Sequence, residues 1–280
     1  MSLSITTDYL SDKGCPEDDL RRIAGHGFTH IHWCHQWNTD FLYDAAEIDA
    51  IARWLKDFGL TLLDLHASSG KEKCWTSPLE YERQAGLRLV ENRIDMTRRL
   101  GADAVVMHVP GIKGRAENPG IMDRLRRSLD DLAPYATRRG VRIAVENGHD
   151  NIATIRELFS AFGPEYLGLC WDSGHGNLIA PDVPSPKGLD ALDLIKERLL
   201  VLHIHDNDGA NDRHRVPFTG TVDWPRLASL IARSGYRKCV SMESNVHQEE
   251  NKDPQDFLRR AHAAGERLAA MIAGEKAGLR

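Results

Sequence analysis

Short apolar runs alternate with longer amphipathic segments along the whole chain. The runs are rich in β-branched and aliphatic residues, as strands are, and the segments between them have apolar positions at helical spacing. Several helical segments end at a glycine that precedes the next strand, namely Gly59, Gly101, Gly140 and Gly235. The pattern predicts eight strands: Leu3–Thr6, Thr29–Trp33, Thr61–His66, Ala104–His108, Arg142–Glu146, Leu167–Asp172, Leu200–His205 and Lys238–Glu243.

Eight strand–helix units without a break in composition indicate an α/β protein with one closed parallel barrel. A (β/α)8 TIM barrel needs about 250 residues, so a single domain over residues 1–280 is expected. A doubly wound open sheet is the alternative, but it normally carries a GxGxxG after its first strand, and this sequence has none. Predicted helices include Asp44–Phe58, Pro78–Leu100, Ile121–Arg139, Ile152–Phe162, Leu189–Arg198, Trp224–Ser234 (N-cap Asp223, Pro225 in its first turn) and Pro254–Ile272, and Pro181–Pro186 is a predicted loop.

Composition and charge narrow the classes of function. Hydrophobic residues make up 41% and charged residues 28% of the chain, as in ordinary globular proteins, and the net charge of −5 without a Lys/Arg block disfavours nucleic-acid binding. The apolar runs are too short to span a membrane, and the first residues lack a signal-peptide pattern. Five cysteines without CxxC spacing predict free thiols and a cytoplasmic location.

A residue able to bind metal stands at the end of each strand from the third to the eighth. Taken singly, a histidine or carboxylate there is usually solvated or paired with a cation. However, the carboxyl ends of barrel strands converge on one cup, so together these residues predict a divalent-metal site. Ligands of this type permit Mn²⁺, Zn²⁺, Mg²⁺ or Co²⁺. The six strand-end residues are His66, His108, Glu146, Asp172, His205 and Glu243.

Two segments near these strand ends add further donors. In Trp-Asp-Ser-Gly-His175, the histidine follows the strand-end aspartate by three residues, so one turn would bring it to the same site. His203 and His205 share one face of their strand, and we expect His205 at the rim to be the ligand and His203, one layer deeper, to orient it. Asp212 and His214 form either a further metal-binding pair or a solvated turn.

Aromatic residues follow the second strand. Trp33, His35 and Trp37 are expected at the mouth of the barrel, where flat rings pack on the apolar face of a sugar. Packing of a loop against the barrel explains these tryptophans equally well. Their position makes a small sugar-like molecule the expected substrate.

Basic residues in the rim loops are a second feature of the substrate side. They are able to contact a phosphate or carboxylate, although loop cations are usually solvated. These residues are Lys71, Lys73, Lys113, Arg115, Arg213 and Arg215. The predicted substrate contacts are His66, His108, His175, Trp33, His35, Trp37, Arg213 and Arg215.

Five segments of the sequence resemble the xylose isomerase-like barrel superfamily, in its sugar phosphate isomerase/epimerase and AP endonuclease family 2 grouping. They occur in order and span most of the chain. The superfamily fold is a TIM barrel, which agrees with the strand pattern. The segments are Val105-Val-Met-His-Val-Pro-Gly111, Val145-Glu-Asn147, Trp171-Asp-Ser-Gly-His175, His203–Gly209 and Met242-Glu-Ser244.

The resemblance to the ketose 3-epimerase members implies one Mn²⁺-type ion bound by Glu146, Asp172, His205 and Glu243. It also implies that the two glutamates act as acid and base and that His175 contacts a substrate hydroxyl. Chemically, an ion that bridges a carbonyl and the adjacent hydroxyl acidifies the neighbouring C–H and stabilises an enediolate, and two carboxylates then move the proton. A metal-dependent sugar, sugar phosphate or polyol isomerase or epimerase is therefore the leading hypothesis.

Other functions of the same superfamily stay open. Endonuclease-IV-like enzymes bind three zinc ions through five histidines and four carboxylates, but the residues after Glu146 and His108 and the acidic net charge depart from that group. A keto-sugar or cyclitol dehydratase and a non-catalytic sugar-binding barrel are further alternatives, and family members often form homo-oligomers. The counterparts of the nine zinc ligands are His66, His108, Glu146, Asp172, His175, His205, Asp212, His214 and Glu243.

Overall fold

Eight parallel strands form the inner layer of the protein in a computed structural model that describes residues 1–70, 72–179, 182 and 186–278. Helices follow the strands and pack around them. The strands are β1 (Leu3–Thr6), β2 (His30–Trp33), β3 (Thr61–His66), β4 (Ala104–His108), β5 (Arg142–Glu146), β6 (Leu167–Asp172), β7 (Leu199–His203) and β8 (Val240–Met242).

The described helices include long ones that cover the barrel and short ones at its rim. None of them is both long and apolar enough to cross a membrane. They are α1 (Glu17–Gly25), α2 (Ala45–Phe58), α3 (Glu80–Arg99), α4 (Ile112–Glu117), α5 (Ile121–Arg139), α6 (Ile152–Ala161), α7 (Ser173–Asn177), α8 (Gly188–Ile195), α9 (Trp224–Arg233) and α10 (Pro254–Gly278), with 3₁₀ turns at Lys196–Arg198 and Val246–Gln248.

The strands close into a ring. Each strand from β1 to β6 pairs in parallel with the next, and β1 also pairs with β8. Between β7 and β8, Ile204 bridges Met242, its N–H donates to Ser241 O at 2.9 Å, and Glu243 N–H donates to Ile204 O at 3.0 Å. The predicted TIM barrel is therefore confirmed, and the open-sheet alternative is wrong.

The predicted strands match the structure to within a few residues. The largest difference is at the last two strands, since β7 ends at His203 rather than His205 and β8 spans Val240–Met242 rather than Lys238–Glu243. Three helices that the pattern did not single out, α1, α4 and α7, are present. Of the predicted loop Pro181–Pro186, residues 181 and 183–185 lie outside the described residues, as does Lys71.

Local sequence signals set the helix ends. The Asp44 carboxylate accepts from Glu47 N–H, and the Glu47 carboxylate accepts from Asp44 N–H, both at 2.8 Å, so a capping box begins α2. The helix ends at Gly59, whose φ of +68° is the left-handed conformation that glycine adopts without strain. Asp223 caps α9 as predicted, with its carboxylate accepting from Arg226 N–H at 3.1 Å.

The apolar core lies in two places. The larger part fills the space between the strands and the helices, and a smaller separate cluster plugs the barrel below the cup. On β4, β5 and β6 this cluster occupies alternate positions that lead to His108, Glu146 and Asp172 at the strand ends, so one face of each strand changes from apolar to ionisable. The cluster comprises Ala104, Val106, Ala144, Cys170, Leu200 and Val201.

We expect truncation of a helix residue against the barrel to destabilise the protein strongly. Leu158 on α6 is fully buried, so Leu158→Ala should lower the free energy of unfolding by about 2–5 kcal/mol through lost burial and a cavity. Leu194→Ala on α8, where the side chain is 61% exposed, is the matched control and should change it by less than about 0.5 kcal/mol. Denaturant unfolding measures both, and equal effects would contradict this packing.

Candidate metal centre

The strand ends bring ionisable side chains into one cup at the carboxyl edge of the barrel. His66, His108, Glu146 and Glu243 line a cavity of about 430 Å³, and Asp172 lies buried beside it. The two glutamates and Asp172 are at most 9% exposed. The predicted convergence of these residues is therefore present in the structure.

One donor group lies between β5 and β8. His203 Nδ1 is 3.4 Å from Glu146 Oε1 and 3.2 Å from Glu243 Oε1. Asp172 completes the group, and the four ligand atoms all lie within 4.8 Å of one another. Two glutamates from different strands thus face the same point.

The structure places His203 rather than His205 between the two glutamates. His205 Nε2 donates a hydrogen bond to Asp172 Oδ2 at 2.9 Å, and its Nδ1 lies 3.3 Å from Arg213 O. His203 therefore belongs to this donor group, whereas His205 offers a ligand atom to a group with His175, Asp212 and His214. The assignment of His205 as a metal ligand and of His203 as its orienting residue therefore stays a prediction, since both histidines belong to candidate metal groups.

A second donor group uses the other oxygen of Glu146. His66 Nε2 lies 3.5 Å from Glu146 Oε2, and His108 Nε2 donates to the same oxygen at 3.1 Å. Burial lowers the pKa of His66 to about 4, so this ring is neutral and offers a lone pair. Glu146 consequently stands between two groups of donors.

A third donor group lies at the rim. His175 Nε2 is 3.2 Å from Asp212 Oδ2, and His214 Nε2 is 3.6 Å from Asp212 Oδ1. The Nδ1 atoms of both histidines are held by backbone carbonyls at 2.9 and 2.8 Å, those of Asn147 and Glu243. A carbonyl that holds Nδ1 of each ring directs Nε2 toward a common point, here beside Asp212, as in metal sites.

The spacing of these donors fits a divalent cation. Four ligands around a tetrahedral ion lie about 3.4 Å apart. The contacts of Glu146 and Glu243 with His203 are 3.2–3.4 Å, and neither nitrogen of His203 has a hydrogen-bond partner among the described residues. Buried polar atoms without partners are costly, so the cup fits a bound ion better than a hydrogen-bond network.

The charges of the cup depend on protons held by histidine. Burial would raise the pKa of Glu146 and of Glu243, but the charge on His203 outweighs it and holds both well below the usual range. Burial likewise opposes a charge on His214, yet Asp212 and the nearby carboxylates raise its pKa to about 10. The carboxylates are thus ionised, and imidazole protons neutralise them until a cation takes that place.

A tight turn after β6 holds Asp172 and His175 in place. Asp172 Oδ1 accepts from His175 N–H at 2.6 Å, and Ser173 Oγ donates to His205 O at 2.6 Å. Gly174 lies against the ring of His205, where an added Cβ would stand 2.0 Å from Cε1. This position therefore requires glycine, which explains the Asp-Ser-Gly-His run.

Asp206 holds the loop that carries Asp212 and His214. It is fully buried, and its carboxylate accepts five hydrogen bonds of 2.9–3.2 Å. Sequence reasoning missed this residue, whose only signal is an acid directly after His205. The donors are the backbone N–H groups of Asn207, Thr219, Gly220 and Val222 and the indole N–H of Trp224.

The predicted substrate contacts fall in different places. The ring of Trp37 lies 5.1 Å from that of His66, on the wall of the cup. Trp33 and His35 instead line a separate cavity of about 400 Å³ beside α2. Arg213 is exposed, 3.7 Å from Asp208, and Arg215 pairs through its backbone with Asp206.

Three cup residues were not found from the sequence. Asp8 lies just after β1 and lines the cavity, and burial raises the pKa of its carboxyl group. His32 and Asp64 lie inside β2 and β3, completely buried beneath the cup, and a hydrogen bond joins them. The sequence signal of His32 and Asp64 was an ionisable residue at an interior position of a predicted strand.

The chain belongs to the xylose isomerase-like TIM barrel family, whose model matches residues 20–264. It is 33% identical over 285 residues to the uncharacterized protein y4fM of Sinorhizobium fredii (strain NBRC 101917 / NGR234), covering 92% of this chain and 89% of that protein. The resemblance inferred from the motifs is thereby confirmed.

More distant relatives differ in their named functions. The chain is 23% identical over 175 residues to fructoselysine 3-epimerase of Shigella flexneri, covering 59% of this chain and 60% of that one. It is 26% identical over 220 residues to a probable endonuclease 4 of Thermotoga maritima (strain ATCC 43589 / DSM 3109 / JCM 10099 / NBRC 100826 / MSB8), covering 71% and 74%. The solved structure of an L-ribulose 3-epimerase superposes with a TM-score of 0.78 at 18% identity, covering 100% of this chain and 97% of that one, which shows the shared fold.

Metal binding is expected to release protons. Because the raised pKa values of His175 and His214 keep these rings protonated at neutral pH, an ion must displace their protons before it binds there. Apparent affinity should therefore rise with pH up to about 10, the pKa of His214, by up to tenfold per pH unit for each proton released. Calorimetric titration in buffers of different ionisation enthalpy measures the protons, and identical heats in all buffers would contradict this charge assignment.

Loss of the Asp206 carboxylate is expected to destabilise the protein and loosen the third donor group. Asp206→Ala leaves buried N–H donors without an acceptor, which should lower the free energy of unfolding by about 2–4 kcal/mol. Asp208→Ala, an exposed residue of the same loop, is the control and should change it by less than about 1 kcal/mol. Thermal unfolding with and without metal measures both effects, and a normal Asp206→Ala variant would refute the role of this carboxylate.

Proposed function

We propose that this protein is a divalent-metal-dependent isomerase or epimerase of a small sugar-like carbonyl compound, in which Glu146 and Glu243 transfer the proton. The observation that carries the proposal is the approach of two buried, ionised glutamates from β5 and β8 to one point, 3.4 and 3.2 Å from His203 Nδ1. Epimerisation requires a base on each side of the reacting carbon, and this arrangement supplies two.

The donor set supports binding of a divalent ion by Glu146, Asp172, His203 and Glu243. Such an ion, when bound, would polarise a substrate carbonyl and lower the pKa of the adjacent C–H. The low pKa values of the glutamates keep them unprotonated and ready to accept that proton. If the opposite glutamate first takes up a proton from water, its return of that proton inverts the carbon, whereas return of the abstracted proton to the neighbouring carbon exchanges aldose and ketose.

The remainder of the cup suits a small polar molecule. Its volume of about 430 Å³ lies within the usual range for small-molecule sites. Trp37 presents an aromatic ring on one wall, while Asp8, Asn245, His247 and Gln248 add polar groups. An aromatic wall opposite hydrogen-bonding groups is typical of sugar recognition.

Removal of either glutamate should abolish proton transfer. Glu146→Gln and Glu243→Gln each remove a base, so exchange at the carbon next to the carbonyl should fall by about 100–10,000-fold. The assay incubates the Mn²⁺-loaded protein with ketopentoses and ketohexoses in deuterated water and follows deuterium incorporation and product sugars by NMR. Metal removal with a chelator should have the same effect.

The matched control is Glu197→Gln. Glu197 is exposed in the turn before β7, at the end of the barrel opposite the cup, so exchange should be unchanged. If the wild type exchanges no C–H with any sugar of the panel, or if both Gln variants keep wild-type rates, the proposed reaction is wrong.

A multinuclear phosphodiesterase is the second candidate, and the shared position of Glu146 favours it. This glutamate bridges the group with His66 and His108 and the group with His203, and the Asp212 group lies next to them. A sugar enzyme that works with a single ion needs only one donor group, whereas the described residues of the cup form three such groups. Elemental analysis distinguishes the two functions, because about three zinc ions per chain with nicking of abasic DNA would support the phosphodiesterase.

A further inference from the structure

His32 lies at the floor of the cup and has no part in the proposed reaction. It is on β2, completely buried, and its Nδ1–H donates to the buried carboxylate of Asp64 on β3. That hydrogen bond leaves the lone pair on Nε2, which has no hydrogen-bond partner among the described residues. Metal-binding histidines typically have this arrangement, in which a carboxylate holds one ring nitrogen and the other faces the ion.

Three further donors surround His32 Nε2. His66, His203 and Glu243 each offer one buried ligand atom, and with His32 these atoms all lie within 4.8 Å of one another. Glu243 Oε1 is 3.8 Å from His32 Nε2, 3.8 Å from His66 Nε2 and 3.2 Å from His203 Nδ1. The two distances of 3.8 Å are longer than a hydrogen bond. All three distances are close to the separation of two ligands bound to the same ion.

The floor donors differ from Asp172 in their hydrogen bonds. Both carboxylate oxygens of Asp172 already accept hydrogen bonds, from His175 N–H at 2.6 Å and from His205 Nε2 at 2.9 Å. By contrast, His32 Nε2 and both nitrogens of His203 are buried without partners in the described part of the chain. An ion at the floor therefore replaces the contacts of Glu243 with His203 and His66 and leaves both hydrogen bonds of Asp172 intact.

We propose that His32, His66, His203 and Glu243 form a cation site at the floor of the cup, specific for first-row transition metals such as Zn²⁺, Co²⁺ or Fe²⁺. Three imidazoles and one carboxylate favour these ions over Mg²⁺, which prefers oxygen ligands. The inference rests on the metal-binding part of the proposed function and is independent of its substrate, and because His203 and Glu243 belong to both groups, an ion at the floor takes the place of one held with Glu146 and Asp172. Asp64 is a positioning residue, since it acts on the ion only through His32.

The experiment titrates chelator-treated protein with Co²⁺ and follows the visible ligand-field absorption, with zinc content measured by elemental analysis. His32→Gln should weaken transition-metal binding at least tenfold and change the Co²⁺ spectrum. Asp64→Asn, which keeps all four ligands, should weaken it about 10–100-fold, and Asp172→Asn should keep the floor spectrum. His30→Gln is the matched control, because this histidine lies at the opposite end of the same strand, against Thr29.

Crystals of the wild-type protein soaked in Zn²⁺ provide a readout that does not depend on folding of the variants. An anomalous peak within bonding distance of His32 Nε2 and Glu243 Oε1 is expected. Absence of that peak, or unchanged metal content and spectrum in His32→Gln, would overturn the floor site alone. A wild type that retains the floor ion but exchanges no sugar protons would instead overturn only the proposed reaction.

Discussion

The structure depends on neutralising buried carboxylates without lysine or arginine. Within the described residues, every ion-pair partner of Glu146, Asp172 and Glu243 is a histidine. Histidine is either neutral or charged near neutral pH, so the cup balances its charge with protons or with a divalent ion. Fixed cations would have made these carboxylates permanent ion pairs and prevented them from binding a metal or a substrate proton.

The barrel makes this concentration of charge tolerable by confining it to one end. On β4, β5 and β6 the alternate positions below the cup are small and apolar, and the last position of each of these strands is ionisable. A surrounding layer of hydrogen bonds then fixes the rings: carbonyls hold His175 and His214, and the Asp206 carboxylate holds the loop that brings Asp212. The cost of burying these groups is met by the rest of the barrel core.

The sequence predicted the strands and the strand-end residues well, because periodicity and the convergence of parallel strand ends are local and geometric rules. It failed where depth mattered. His203 and His205 are two positions apart and point to the same side of the chain, and only the closed barrel shows which one lies between the glutamates. His32 and Asp64 were invisible as a pair, since nothing local indicates that two strand-interior residues on β2 and β3 will meet. Trp33 and Trp37 flank a turn whose direction separates them into different cavities.

The use of Glu146 decides between the two chemistries that this cup supports. If ions filled both neighbouring donor groups, Oε1 and Oε2 of Glu146 would each be bound, and no oxygen would remain to accept a proton from carbon. An ion at the floor uses His66 and His203 with His32, so it takes those imidazoles away from the groups that share Glu146. An ion at the floor would therefore leave Glu146 unbound, as acceptance of a proton from carbon requires, but it would be held without Glu146 and Asp172 and would replace the ion of their group.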